Sequence, residues 1–188
     1  MKKTILALFL SAGLTSFAVT AKAKTYDNYS DWSNAVTGIS TVPVDNPSGN
    51  FNQYPLNTLL TLGNVGFVMS ALGNASPGVG LYILSSSIYA VSPNTKPLLS
   101  PEGDTPLSLL MTLPSAFTAL SLNFDYVAAP GSLTFNISNG DSYLVTNNYT
   151  QGTLTGFFGV TSSTPFNQVT IVSSGQPGGG FDLGNILT

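Results

Sequence analysis

The stretch TALSLNFDYVAAPGSLTFNISNGDSYLVT, residues 118–146, decides the fold. Its first nine residues alternate: Leu120, Leu122, Phe124 and Tyr126 fall on one face, and Ala119, Ser121, Asn123 and Asp125 on the other. A period of two is the mark of a β-strand with one buried face, because successive side chains point to opposite sides of the sheet. Residues 132–138 repeat the pattern with Leu133, Phe135 and Ile137 inward. Asn139-Gly140 then predicts a tight type I′ hairpin, since both central positions of that turn need positive φ, and residues 142–146 return.

Working outward, the same grammar continues. Residues 107–113 read as a strand running into Pro114-Ser115, and residues 155–160, 167–172 and 181–187 as three more. Upstream, residues 58–62 and 66–70 form a hairpin around Gly63-Asn64, and residues 39–44, 80–84 and 87–91 are further strands. Residues 45–56 and the proline-punctuated run 92–106 read as loops, and the glycine patch 175–180 as a flexible turn. One segment has helical character: residues 30–36, with Ser30 as N-cap, Gly38 as the stop, and Trp32, Ala35 and Val36 on one face. Trp32 reads first as a seal on the core, with ligand stacking as the alternative. The expectation is an all-β, antiparallel β-sandwich, jelly-roll-like, of about a dozen strands with one short N-terminal helix.

The start of the chain reads as a signal peptide, residues 1–23. Lys2 and Lys3 form a positive n-region, residues 5–14 an apolar core too short for a transmembrane helix, and Ala21-Lys22-Ala23 a peptidase site. Cleavage after Ala21, with Val19 at −3, is the alternative. Residues 24–188 then form one secreted domain with no membrane anchor, periplasmic or cell-surface retention remaining open, as does oligomeric state. With two lysines against eight acids and no arginine, that domain carries a net charge of −6, which argues against nucleic acid and anionic lipid as partners.

The chain has no histidine and no cysteine. That excludes Ser-His-Asp and Cys-His catalysis and the commonest zinc ligands. A glycosidase pair of Glu102 with Asp45, Asp104, Asp125, Asp141 or Asp182 has no local motif behind it, and the expectation is a protein that is not an enzyme. A structural calcium held by Asp45 and Asp182 is a possible cofactor, set against a hydrated loop and a strand-end aspartate.

Several blocks together resemble a known type: YDNYSDWSNAVTGISTV (26–42), LPSAFTALSLNFDY (113–126), the LTFNISNGDSYLV hairpin (133–145), and GFFGVTSSTPFNQVTI (156–171) leading to FDLGNILT (181–188). They resemble the extracellular β-sandwich domain of the PEP-CTERM class of bacterial exported proteins. The segment from Phe157 to Val169 carries most of the likeness. The resemblance implies an envelope or matrix protein of exopolysaccharide-producing bacteria. Two departures stand out. The chain stops at Thr188 without the class's sorting motif, membrane helix and basic tail, so a freely secreted protein or a truncated chain is expected, and the usual closing Leu-Asp-Asn reads Leu183-Gly184-Asn185, with the acid at Asp182.

The functional expectation is a non-enzymatic secreted or envelope protein that binds or organises extracellular polysaccharide. The alternative is a structural or adhesive matrix protein acting through protein contacts. Candidate ligand-binding residues are Asn123, Asp125, Asn136, Tyr54, Tyr143 and Tyr149, each of which otherwise reads as part of a wet outer sheet face. A binding face should cluster tyrosines with Asn and Asp, whereas a merely solvated one should scatter them.

Overall fold

The computed structural model describes residues 23–42, 52–83, 100–102, 105–126, 132–146, 154–174 and 181–188. In chain order the elements are β1 (Lys24–Tyr26), α1 (Tyr29–Ala35), β2 (Asn52–Tyr54), β3 (Leu59–Leu62), β4 (Val65–Ala71), β5 (Gly80–Ile83), β6 (Ser100–Glu102), β7 (Leu107–Tyr126), β8 (Ser132–Ile137), β9 (Ser142–Thr146), β10 (Leu154–Ser173) and β11 (Phe181–Leu187). The proposed signal segment up to residue 22, the strand at 87–91 and the glycine patch at 175–180 lie outside the described residues.

Two strands of 20 residues each, β7 and β10, pair antiparallel and form the spine. At one end the spine is extended to the order β3-β4-β7-β10-β8-β9. At the other end β11 flanks β7 and β1 flanks β10. Regular pairing lapses between these ends: Thr161 faces Ala119, Phe166 faces Phe117, and the ladder resumes with Gln168 opposite Thr112. Pro114 and Pro165 both fall in this gap, where a residue without an N–H costs no ladder hydrogen bond. The buried face changes parity here. Leu107, Leu109, Met111 and Leu113 are buried on one side of the gap, and Leu120, Leu122 and Phe124 on the other.

The two ends of the spine face each other as the layers of a sandwich. Phe135 of β8, in the first layer, stacks on Phe158 of β10, in the second, with ring centroids 4.0 Å apart and 5° between planes. Phe124 packs on Phe135 at 6.0 Å. Strands that pass between sheets at bulged corners are a known way to build such packing. The fold is therefore an antiparallel β-sandwich with one short helix. A separate three-stranded sheet, β2-β5-β6, adds Leu81 and Ile83 to the same core.

Four expectations are corrected. The runs 107–113 and 118–126 are halves of β7, and 155–160 and 167–172 are halves of β10. The loops 45–56 and 92–106 contain the short strands β2 and β6, both paired to β5. Of the stretch 39–44, the described residues 39–42 make a bridge, Thr41 to Leu187, framed by backbone bonds from Ser40 to Thr188 and from Val42 to Ile186, rather than a strand; residues 43–44 lie outside the described residues. The turn after β8 has three residues rather than two: Gly140 N–H donates to Ile137 C=O at 2.9 Å, Ile137 N–H to Asp141 C=O at 2.8 Å, and Gly140 alone has positive φ. That geometry is a type I turn closed by a G1 bulge. The β3–β4 turn is tight as expected, with positive φ at Gly63, the first central position.

The helix begins one residue early because its cap is Asn28, not Ser30. Asn28 Oδ1 accepts from Asp31 N–H at 2.9 Å, and Asn28 Nδ2 donates back to the Asp31 carboxylate at 2.9 Å. Two groups are satisfied reciprocally, and the acid sits in the first turn where the helix dipole favours it. Trp32 is fully buried and its Nε1 donates to Val160 C=O at 3.3 Å, but it covers the face of the sheet that carries Gly159, opposite the core, rather than sealing the core itself.

Candidate functional site

The corner where β1, α1, β9 and the first half of β10 meet gathers Tyr26, Tyr29, Trp32, Tyr143, Phe157 and Phe158. Tyr26 is the register partner of Gly159, and the Lys24 ammonium lies 4.7 Å from the centroid of the Tyr26 ring. Gly159 leaves the space that Trp32 fills: a Cβ there would stand 2.7 Å from Trp32 Cδ1 and 2.8 Å from Phe157 Cε1. Phe157 completes a triangle with Tyr29 and Trp32, with centroids 6.2–6.3 Å apart and both Phe157 contacts edge-on. These contacts fix a half-buried ring in place, whereas Tyr29 remains 51% exposed.

Across from Tyr26, Tyr143 of β9 points inward, opposite Phe135 in register. Its ring lies 6.1 Å from Phe158 and its hydroxyl donates to Ala23 C=O at 3.0 Å. Burial, with a further contribution from the Asp141 carboxylate, raises the Tyr143 phenol above its ordinary value. Tyr143, Tyr26 and Phe157 wall a cleft of about 510 Å³, completed by Thr25, Asp27, Leu144, Val145 and Phe158. This size and mixture, apolar walls with a few polar groups, is typical of small-ligand sites. Asp27 and Asp31 both accept from Asn28 Nδ2, at 3.1 and 2.9 Å. Both carboxylates are exposed, unlike the desolvated general acid of a glycosidase.

Of the residues singled out from sequence, the structure brings two to this corner. Tyr143 lines the cleft, and Asn123 lines an adjoining one beside Phe157. Asn136 is elsewhere, accepting from Ser142 Oγ at 2.7 Å on the outer face of the six-stranded layer. Tyr54, on β2, is half-buried and packs against the core. Asp125 and Asp182 are register partners on β7 and β11. Asp45 and Tyr149 lie outside the described residues, and among those described no three His, Cys, Asp or Glu gather as metal ligands.

The outer face of residues 119–125 is not uniformly wet. Ser121 is fully buried, because Trp32 lies over its register partner Gly159. Its hydroxyl is the one buried side-chain polar atom without a hydrogen-bond partner among the described residues. Tyr26, Asp27, Tyr29 and Phe157 were missed as site residues. The run KTYDNY (24–29), two tyrosines flanking an Asp-Asn pair, is the signal that could have pointed to them.

No protein-family model matches the chain, and no curated protein does. Among solved structures it is similar to a variant of a family 29 carbohydrate-binding module complexed with mannohexaose, at 15% identity and a TM-score of 0.39, covering 73% of this chain and 89% of that one. It is also similar to TmCBM61 in complex with β-1,4-galactotriose, at 10% identity and a TM-score of 0.40, covering 65% of this chain and 87% of that one.

Proposed function

We propose that this is an exported, non-catalytic protein that binds extracellular polysaccharide, with sugar seated in the cleft between Tyr26, Tyr143 and Phe157. The observation that carries this reading is the convergence of those three aromatic residues with Asp27 and Thr25 around one opening. Ring faces and edges match the apolar C–H surfaces of a sugar, and carboxylate and hydroxyl oxygens accept from its hydroxyls. With neither histidine nor cysteine in the chain, the groups at this opening are suited to holding a ligand rather than transforming it. No helix among the described residues is long and apolar enough to cross a membrane.

The test is affinity electrophoresis of the secreted protein against a panel of bacterial and plant polysaccharides, with calcium and with chelator. Retardation by one class, abolished by Tyr26→Ala at unchanged melting temperature, is the expected result. Loss of retardation in chelator alone would bring a calcium held by Asp45 and Asp182 into the site. Mobility unchanged by every polysaccharide would refute the reading.

One observation favours matrix or adhesive association instead. The outer face of the six-stranded layer carries only uncharged residues, among them Leu59 and Leu144 at 65% and 63% exposure. Light scattering that shows self-association with rising concentration would support that reading.

A further inference from the structure

The cleft does not stand alone. Thr25, Tyr26 and Asp27 also wall a second cleft of about 420 Å³, whose other side is Asp31, Asn34 and Ala35. Phe157 also walls a third, of about 350 Å³, with Tyr29, Asn123 and Leu187. Tyr26 and Phe157 are therefore shared partitions, and the three clefts run in series around the corner formed by β1 and α1. The charged groups along this path are Asp27, Asp31 and Lys24, and the Lys24 ammonium already stands over the Tyr26 ring.

Resting on the reading of this corner as a glycan site, we propose that its ligand is the interior of a neutral polysaccharide chain several sugars long. Phe157 separates successive sugars, Tyr26 offers the ring face that Lys24 leaves open, and polymers bearing uronate or sulfate are rejected. A single sugar fills one cleft and meets one partition. A chain that passes both partitions gains at each, and its affinity rises with length until the path is filled. The polar groups are mainly acceptors and amides (Asp27, Asp31, Asn34, Asn123), which suit hydroxyl donors. A polyanion would face two carboxylates with one lysine to offset them, on a domain with no arginine and a net charge of −6 after residue 23, or −5 if Lys22 is retained.

The experiment has two arms, both on the secreted protein. Calorimetric titration with β-1,4-linked gluco-, manno-, xylo- and galacto-oligosaccharides from two to six sugars measures length dependence. Affinity electrophoresis with the corresponding neutral polymers, beside polygalacturonate and alginate at low and high salt, measures charge selection. We expect one neutral series to bind with affinity rising about tenfold or more from disaccharide to hexasaccharide, the scale of one added favourable contact. Tyr26→Ala should weaken the hexasaccharide about thirtyfold, as loss of an aromatic anchor does. Neither polyanion should retard the protein at either salt. Equal affinity for disaccharide and hexasaccharide would overturn the chain-interior mode, and retardation by polygalacturonate or alginate would overturn the charge selection. Either result leaves the glycan site itself standing. Mobility unchanged by every polymer would remove the site and this inference together.

Discussion

Phe135 and Phe158 stack with their ring centroids 4.0 Å apart, although one belongs to β8 and the other to the first half of β10. The contact joins the two layers of the sandwich across the core, and both rings are buried. Phe124 and Tyr143 pack against the same pair, so the cleft's back wall is continuous with the core.

Replacing Phe135 by Ala would open a cavity between layers that the stiff spine strands cannot close. The expected loss is about 3–5 kcal/mol, a large part of a typical domain's stability. Urea denaturation checks it. A loss within about 1 kcal/mol would mean that the layers do not depend on this contact.

Gly159 is the position at which α1 is seated on the sheet. An added Cβ would meet Trp32 Cδ1 at 2.7 Å, and Trp32 is too enclosed to turn aside. Gly159→Ala is therefore expected to cost about 1–3 kcal/mol by overpacking. Tryptophan fluorescence should shift to the red as the indole, the only one in the chain, moves toward water. An unshifted spectrum at unchanged stability would contradict this seating.

Beneath the same helix, the Ser121 hydroxyl is buried without a partner. Deleting it removes a desolvation penalty and leaves a void of one atom. Ser121→Ala should thus raise stability, by about 1 kcal/mol, where most core changes lower it. A lowered melting temperature would show that the hydroxyl is satisfied in solution.

Much of this architecture is written locally. The alternation in residues 118–126 and 132–137 identified the inward Leu120, Leu122, Leu133 and Phe135, and Gly140 and Gly63 marked the turns after β8 and β3. What alternation cannot convey is what lies over the other face. Ser121 reads as wet until α1 is placed above it, and that placement depends on Tyr26 meeting Gly159 across 133 positions of sequence. The long strands were hidden by Pro114 and Pro165, which end a strand by local rules but here occupy a gap in pairing. β2 and β6 have weak strand sequences, NQY and SPE, and exist because β5 offers both its edges. The candidate corner was less legible. Asn123 falls on the face that strand periodicity assigns it, but Tyr143, expected on a wet outer face, is half-buried and packs against the core, and Tyr26 and Phe157 become neighbours only through the pairing of β1 with β10.

Tyr143 gives the protein an alkaline limit. Its phenol is raised from 10.0 by burial and then by the Asp141 carboxylate, so the folded state favours the protonated form. That contribution is complete below the unfolded value of about 10 and is lost as pH rises through the folded one. A phenolate also cannot donate to Ala23 C=O. Melting temperatures of the wild type and Tyr143→Phe, compared from pH 9 upward, should converge as the wild type loses this stabilisation. A constant gap over that range would overturn the assignment.

On the proposal that the chain is exported, the residues that hold Ala23 bear on where a leader would be removed. Ala23 is 9% exposed and packs with the core, its N–H donates to Asp141 Oδ2 at 3.4 Å, and its C=O accepts from Tyr143. Cleavage after Ala23 would discard a residue with three ties to the fold and strip Tyr143 and Asp141 of these partners. Cleavage after Ala21, with Val19 at −3, meets the same peptidase preference for small residues and keeps Ala23 as the second residue. N-terminal sequencing of the secreted protein should therefore read Lys22-Ala23-Lys24-Thr25-Tyr26. A sequence beginning at Lys24 would show instead that β1 docks on β10 without Ala23. In that case Tyr143→Phe should cost the mature protein no stability at neutral pH, since its hydroxyl would have lost the carbonyl it serves.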